Sequence, residues 1–248
     1  MNQIAESKSS PLLRISLQAI LIAILFIGLI LGFWVLPSLK QKKVSQWVTQ
    51  NGGNLSYVAE DRAAEFFSKA EYGILEYWPG VDFIDHISSI NLSEPISELS
   101  PLGNLNGIVN LIIPQFNGSD LSPLANTKSL ESLCIYKSSI TQLDALKQLP
   151  NLQTLIITHC DLRNIQGLSS CVELRYLDLS NTPLDDIRCL QQLTQLTTLD
   201  LSSTKVSDFE PLERLENLLS LSLRGTEISP AELAALKTAL PNCIIASD

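Results

Sequence analysis

The chain has 248 residues, 45% of them apolar but only 6% aromatic, and a net charge of −9. The charge is unevenly placed: Lys8, Arg14, Lys40, Lys42 and Lys43 precede residue 44 with Glu6 as the only acid, which leaves 12 basic against 25 acidic residues from Val44 onward. A phosphate-tracking surface needs a basic stripe to displace counterions, so this balance excludes nucleic acid as a partner.

Residues 1–14 read as an N-terminal tail and residues 15–36 as a transmembrane helix. Residues 19–36 form an unbroken apolar run of 18, extended upstream by Ile15 and Leu17. At about 1.5 Å per residue this nearly spans a hydrocarbon core of about 30 Å. Phe33 and Trp34 stand at its end, where interfacial aromatics settle. A cleaved signal peptide has a shorter apolar region and a small-x-small site, whereas this run ends Val35-Leu36-Pro37-Ser38-Leu39. A retained single-pass anchor is therefore expected. Basic residues flank both ends equally once the α-amino group is included, so the positive-inside rule leaves the side of the membrane open. Unpaired cysteines favour the cytoplasm, and a short leader favours the other side. Gly28 and Gly32 have the small-xxx-small spacing that lets two membrane helices approach closely, which makes them candidates for a homodimer contact.

Residues 37–86 read as a capping and linker region. Pro37 is expected to stop the membrane helix. Residues 38–50 then suit an amphipathic helix with Leu39, Val44, Trp47 and Val48 apolar, ending at Asn51-Gly52-Gly53. A short strand is expected over 55–58, a helix over 61–69, and a turn at Pro79-Gly80 before Val81-Asp82-Phe83-Ile84.

From residue 108 the chain repeats every 22 residues, with Ile108, Leu130, Leu152, Leu174, Leu196 and Leu218 opening the units. Apolar residues recur at positions 1, 4, 6, 11, 14, 17 and 20 of a unit. Leu130, Leu133, Ile135, Ile140, Leu143, Leu146 and Leu149 show the set complete, as do Leu174, Leu177, Leu179, Leu184, Ile187, Leu190 and Leu193. An earlier unit opens at Ile87, Ile90 and Leu92 and is one residue short. The unit at Ile108 is irregular, with Gly118 at position 11 and Thr127 at position 20. Such a period marks a solenoid, whose ends must be covered.

The pattern L-x-x-L-x-L followed by T-x-I resembles the leucine-rich repeat family over residues 87–248. Ser100-Pro101-Leu102, Ser122-Pro123-Leu124 and Glu210-Pro211-Leu212 resemble the convex helical starts of internalin-type repeats. Trp47, Gly52, Gly53 and Tyr57 resemble the segment before the repeats in membrane-anchored bacterial leucine-rich repeat proteins. The resemblance implies an α/β solenoid, with a parallel sheet on the concave face and short helices or 3-10 turns on the convex face, over residues 87–228. Residues 229–248 read as the C-terminal cap: Ser229-Pro230-Ala231-Glu232 starts a helix, Pro241-Asn242 ends it, and Cys243, Ile244 and Ile245 suit a final strand. No effector domain is expected after it.

The five cysteines match no zinc or redox spacing. Cys160 falls at position 9, where Ser138, Thr182, Thr204 and Thr226 stand in other units and where the family carries a side chain that bonds turn backbone. Cys171 replaces a core leucine at position 20. Cys134, at position 5, is expected to project into solvent. His159-Cys160-Asp161 has no second His or Cys in register, so no metal, cofactor or catalytic residue is assigned and no enzyme is expected.

Strand alternation turns positions 4 and 6 inward and positions 3, 5 and 7 onto the concave face. Column 5 reads Asn91, Ile112, Cys134, Ile156, Asp178, Asp200, Ser222; column 3 includes Tyr176 and column 7 includes Tyr136. Exposed aromatics beside apolar side chains favour protein contact. The candidate binding residues are accordingly Asn91, Ile112, Cys134, Tyr136, Ile156, Tyr176, Asp178 and Asp200, with the two aspartates favouring a basic partner segment. The expected function is capture of a protein or peptide by a membrane-tethered repeat module. The alternatives are a structural element organising a membrane assembly, or an accessory subunit regulating an enzyme.

Overall fold

The inward leucines and the ladder bonds between neighbouring strands together decide the architecture. The computed structural model describes residues 24–25, 36–59, 85–105 and 107–248. Within them a single nine-stranded sheet runs in sequence order: β1 (Asn54–Ala59), β2 (Asp85–Asn91), β3 (Asn110–Ile113), β4 (Ser132–Tyr136), β5 (Thr154–Thr158), β6 (Tyr176–Asp178), β7 (Thr198–Asp200), β8 (Ser220–Ser222) and β9 (Ile244–Ala246). Strands β2 to β9 are parallel, and their register keeps the 22-residue step: Leu111, Leu133, Leu155, Leu177, Leu199 and Leu221 stand opposite one another rung by rung. Each of them is buried.

The return side of each unit is a single 3-10 turn, at Ser100–Asn104, Ser122–Asn126, Asp144–Gln148, Gln166–Ser170, Arg188–Gln192 and Glu210–Arg214. Position 13 of the unit sets up these turns. Asp120, Asn164, Asp186 and Asp208 each accept, through Oδ1, the backbone N–H two residues on, at 2.8 to 3.1 Å. Such side chains mimic a backbone turn. Position 8, where the chain leaves the strand, is left-handed in five consecutive units, with φ of 50° at Lys137, 55° at His159, 56° at Asn181, 56° at Ser203 and 68° at Gly225. Position 9 behaves as its residue types imply. The Thr182, Thr204 and Thr226 hydroxyls donate to the carbonyls of Leu179, Leu201 and Leu223 at 2.7, 2.7 and 2.6 Å, and the Cys160 thiol reaches the Thr158 carbonyl at 3.2 Å.

The irregular unit repairs its own core. Phe116 at position 9 is fully buried and occupies the space that position 11 fills elsewhere. A Cβ at Gly118 would lie 2.6 Å from the Phe116 ring and 2.4 Å from the Ser97 carbonyl, so glycine is what fits there. Thr127 is also buried, its hydroxyl donating to the Leu124 carbonyl at 2.7 Å. The short unit at Ile87 keeps Ile87, Ile90, Leu92, Ile96, Leu99, Leu102 and Leu105 in the core.

The ends are closed differently. Strand β1 pairs antiparallel with β2, with a register shift between Ser56 and Tyr57, and so covers the first edge of the parallel ladder. Helix α1 (Leu36–Gln50) packs beside it. The helix starts earlier than expected and contains Pro37, which is tolerated in a first turn because its missing N–H has no partner there. Its buried face is Gln41, Val44 and Val48 with Trp47 partly covered, whereas Leu39, expected on the apolar face, is 51% exposed. Residue 39 lies about 200° around the helix from 41 at roughly 100° per residue, so it cannot share that face. At the other end α2 (Pro230–Ala239) begins with a capping box, Ser229 Oγ accepting from Glu232 N and Glu232 Oε2 from Ser229 N, and seats Leu236 and Leu240 on the last rung. The helix expected at 61–69 and the turn at Pro79-Gly80 lie outside the described residues, as does the membrane span apart from Ile24 and Leu25. No helix of the described residues is long and apolar enough to cross a membrane.

Two substitution pairs test this construction. Leu177→Ala removes a fully buried leucine and is expected to cost about 2–5 kcal/mol. Tyr176→Ala, one residue away but outward, should cost under about 1 kcal/mol; equal losses in urea melts would overturn the register. A Cβ at Gly167 would lie 2.0 Å from the Leu143 carbonyl. Gly167→Ala is thus expected to destabilise by about 1–3 kcal/mol. Ser203→Gly, which frees a left-handed position, should leave the midpoint unchanged or raise stability by up to about 1 kcal/mol.

Candidate functional site

The concave face is assembled from one or two outward side chains per rung, and the observed pairing places every candidate in its expected column. Column 5 runs Asn91, Ile112, Cys134, Ile156, Asp178, Asp200, Ser222 and ends at Ala246. Column 3 runs Ser89, Asn110, Ser132, Thr154, Tyr176, Thr198, Ser220 and ends at Ile244. Ile112, Ile156 and Tyr136 are partly exposed, Tyr176 is 37% exposed, and Asn91 is open to solvent.

Cys134 departs from expectation. It lies in the concave column but is only 7% exposed, because its short side chain sits between the larger Ile112 and Ile156 of the adjoining rungs and beside Ser132 and Tyr136. Alternation fixed its direction but not its depth. Burial pushes its thiol up, and the same cause raises Cys171 to about 11 and Cys189 to about 12. Thr158 and Ser180 of column 7 are likewise buried.

The two tyrosines and two aspartates form one electrostatic group. Burial raises the Tyr136 phenol first, and then Cys134, Asp178 and Tyr176 add to the shift. Burial again leads at Tyr176, followed by Asp178, Asp200 and Cys134. Asp178 and Asp200 are direct strand neighbours, half-buried, and each is fixed from below: Oδ1 of Asp178 accepts from Ser180 N at 2.9 Å and Oδ1 of Asp200 from Ser202 N at 2.8 Å. Neither is in an ion pair among the described residues. The face therefore changes character along the stack, apolar on β3 to β5, aromatic and acidic on β6 and β7.

Two exposed apolar side chains at the C-terminal corner were not read from the sequence. Leu219 is 56% exposed and Ile244 is 77% exposed, joined by the bond from Ile244 N to the Leu219 carbonyl at 2.8 Å. The signal for Ile244 was its place as a column-3 residue of an added rung. Several polar side chains elsewhere hold turns. Asp186 is bonded to Arg188 at 2.6 Å, and that hydrogen bond holds its carboxyl down at about 2. His159 is an exposed left-handed turn residue, and the described residues contain no group of His, Cys, Asp and Glu able to hold a metal ion. Gly28 and Gly32 lie outside the described residues.

Comparison with known proteins agrees with this geometry. The profile for leucine-rich repeats in two copies matches residues 150–193. Comparison with curated proteins gives no match. Among solved structures, an internalin from Listeria monocytogenes is 28% identical with a TM-score of 0.58, covering 64% of this chain and 46% of its own. Internalin C2 from the same organism is 24% identical with a TM-score of 0.57, covering 67% of this chain and 86% of its own. A plant peptide hormone receptor in complex with RGF2 shares the fold at 18% identity and a TM-score of 0.55, over 64% of this chain and 28% of its own. The chain thus spans about half the length of the first internalin and less than a third of the receptor. Its 22-residue period, its register from rung to rung, the two matched repeats at residues 150–193 and these likenesses make the chain similar to leucine-rich repeat proteins in fold.

Proposed function

We propose that the chain is a membrane-anchored, non-enzymatic leucine-rich repeat module that binds a protein or peptide on its concave sheet face. The observation that carries this reading is the outward patch of Ile112, Tyr136, Ile156 and Tyr176, which the core does not use and which is bordered by Asp178 and Asp200, neither ion-paired among the described residues. Aromatic side chains in such a setting supply contact area at low conformational cost. The shared fold of a plant receptor in complex with RGF2 supports a ligand-binding use of this architecture.

The apolar run at residues 19–36 supports the anchor. Helix α1 follows it directly at Leu36 and packs Val44 and Val48 into the solenoid core, so the anchor is joined to the repeats through a seated helix. The small-xxx-small spacing of Gly28 and Gly32 supports a contact between two copies of the anchor.

Two experiments test the reading. The full chain should pellet with membranes and resist carbonate extraction; release of a mature form that starts after Pro37 would identify the run as a cleaved signal instead. A photo-crosslinking amino acid placed at Tyr136 or Tyr176 should yield a partner adduct in cells, whereas one placed at the exposed convex Gln192 should not. Adducts formed at Gln192 alone would transfer the function to the convex face.

A further inference from the structure

The stacking of Asp178 on Asp200 beside Tyr176 does more than add negative charge to the concave face. The two carboxylates are held in fixed positions by the Ser180 and Ser202 amides, which use one oxygen of each. Their Oδ2 atoms have no hydrogen-bond partner among the described residues, and no basic side chain pairs with either. Tyr176 stands two residues before Asp178 on the same strand and on the same outward face, and its phenol feels both charges. Two preset carboxylate oxygens next to an aromatic ring are a receptor for one planar or compact cation, the first by charge-assisted hydrogen bonds and the second by the ring quadrupole. Apolar side chains precede this pair on the rungs before it, and their spacing sets what kind of ligand can use both.

We infer that the concave face takes an extended peptide in which two apolar residues, at positions i and i+2, are followed or preceded at the same interval by one arginine or lysine. This rests on the concave face being the binding face. Rungs stand about 4.8 Å apart, and an extended chain alternates faces with a rise of about 3.3 Å per residue. A peptide running along the stack with residue i over Cys134, flanked by Ile112, Ile156 and Tyr136, therefore puts residue i+2 about 6.6 Å further, between Ile156 and Tyr176. Residue i+4 then lies about 13 Å from the start, and the midpoint of Asp178 and Asp200 is two and a half rungs, about 12 Å, from Cys134. The match holds in either chain direction, because only the spacing enters it. An acidic residue at the fifth position meets two uncompensated carboxylates and is rejected, so the pair selects against ligands as well as for them.

The test is a display selection of random peptides on the immobilised full chain in mild detergent, followed by affinity measurement with the enriched peptides. Enriched sequences are expected to share two apolar residues two apart and an arginine or lysine four from the outer one. Replacing that basic residue by glutamine should weaken binding tenfold or more. The same loss should follow from the Asp178→Asn, Asp200→Asn double variant, in which each side chain keeps an oxygen for its serine amide. Peptides that lose affinity on Tyr136→Ala but carry no basic residue at that spacing, or are indifferent to the double asparagine variant, would overturn this inference and leave the concave face as the binding face. Peptides indifferent to the tyrosines and the aspartates alike, or a selection that enriches none, would overturn both.

Discussion

Everything in this molecule depends on rungs satisfying one another. Strands β6, β7 and β8 are each three residues long, too short to hold a sheet by themselves, and the inward leucine of each stands opposite that of the neighbouring rung within one continuous core. The bond network follows the same rule. Backbone amides such as Thr154 N, Tyr176 N and Thr198 N reach the carbonyl of the preceding rung at about the same place in each unit. Side chains repeat the pattern: Asn151 Nδ2 donates to the Lys128 carbonyl at 2.9 Å and Asn217 Nδ2 to the Thr194 carbonyl at 2.8 Å. A nearest-neighbour array of this kind has no centre of stability, and its ends are where it is weakest. That is the physical role of the antiparallel β1 at one end of the ladder and, at the other, of β9 together with the capping helix α2, which packs beside the last 3-10 turn.

The periodic part of this construction was legible because burial at positions 1, 4, 6, 11, 14, 17 and 20 follows from chain geometry repeated unit by unit. Columns 3 and 5 of the concave face followed from the same geometry, since a residue's side of a strand is fixed once its neighbours are placed inward. What escaped was of three kinds. Turn chemistry escaped, because the three aspartates and one asparagine of position 13 bond locally, and because the left-handed backbone of position 8 leaves no mark on hydrophobic periodicity. Depth escaped, because alternation gives direction only, and Cys134 is covered by the size of Ile112 and Ile156 rather than by its own orientation. At α1 Val44, Trp47 and Val48 were legible, but Leu39 counted as apolar by type while Gln41 took the buried place.

The unit at Ile108 shows how a repeat survives breaking its pattern. Its missing leucine at position 11 is not a void but an exchange: Phe116 enters from position 9, and Gly118 lacks the side chain that would have met it. Phe116 also bridges to Ile96 on one side and Ser138 on the other, so the exchange is made within the ladder. At position 20, Thr127 and Cys171 keep near-leucine burial while spending their polar atoms on carbonyls, Leu124 for the threonine and Leu146 for the cysteine at 3.3 Å. Cores accept such substitutions when volume is conserved and every buried polar atom is bonded. No buried side-chain nitrogen or oxygen among the described residues is left without a partner.

The outward columns answer to different physics. Inward positions are interchangeable from rung to rung because each must fill the same space, whereas column 5 passes from isoleucine through cysteine to aspartate without any change in backbone register. Stacking Asp178 on Asp200 is unfavourable for folding, since like charges directly opposite on neighbouring strands repel and neither is ion-paired among the described residues. Serine occupies the next place in that column, at Ser222, and shows that a neutral residue fits the geometry. The aspartates do hold the Ser180 and Ser202 amides, but that bond uses one oxygen of each and needs no charge, so their mutual repulsion is a destabilisation the turn does not require. A local rule broken in an otherwise self-consistent array, where a neutral alternative fits, marks the place where the chain is built for something other than its own stability. Here that place lies on the same outward face as Tyr176 and follows the apolar side chains of β3 to β5, and it is this coincidence, rather than the exposure of any one residue, that singles out rungs β4 to β7.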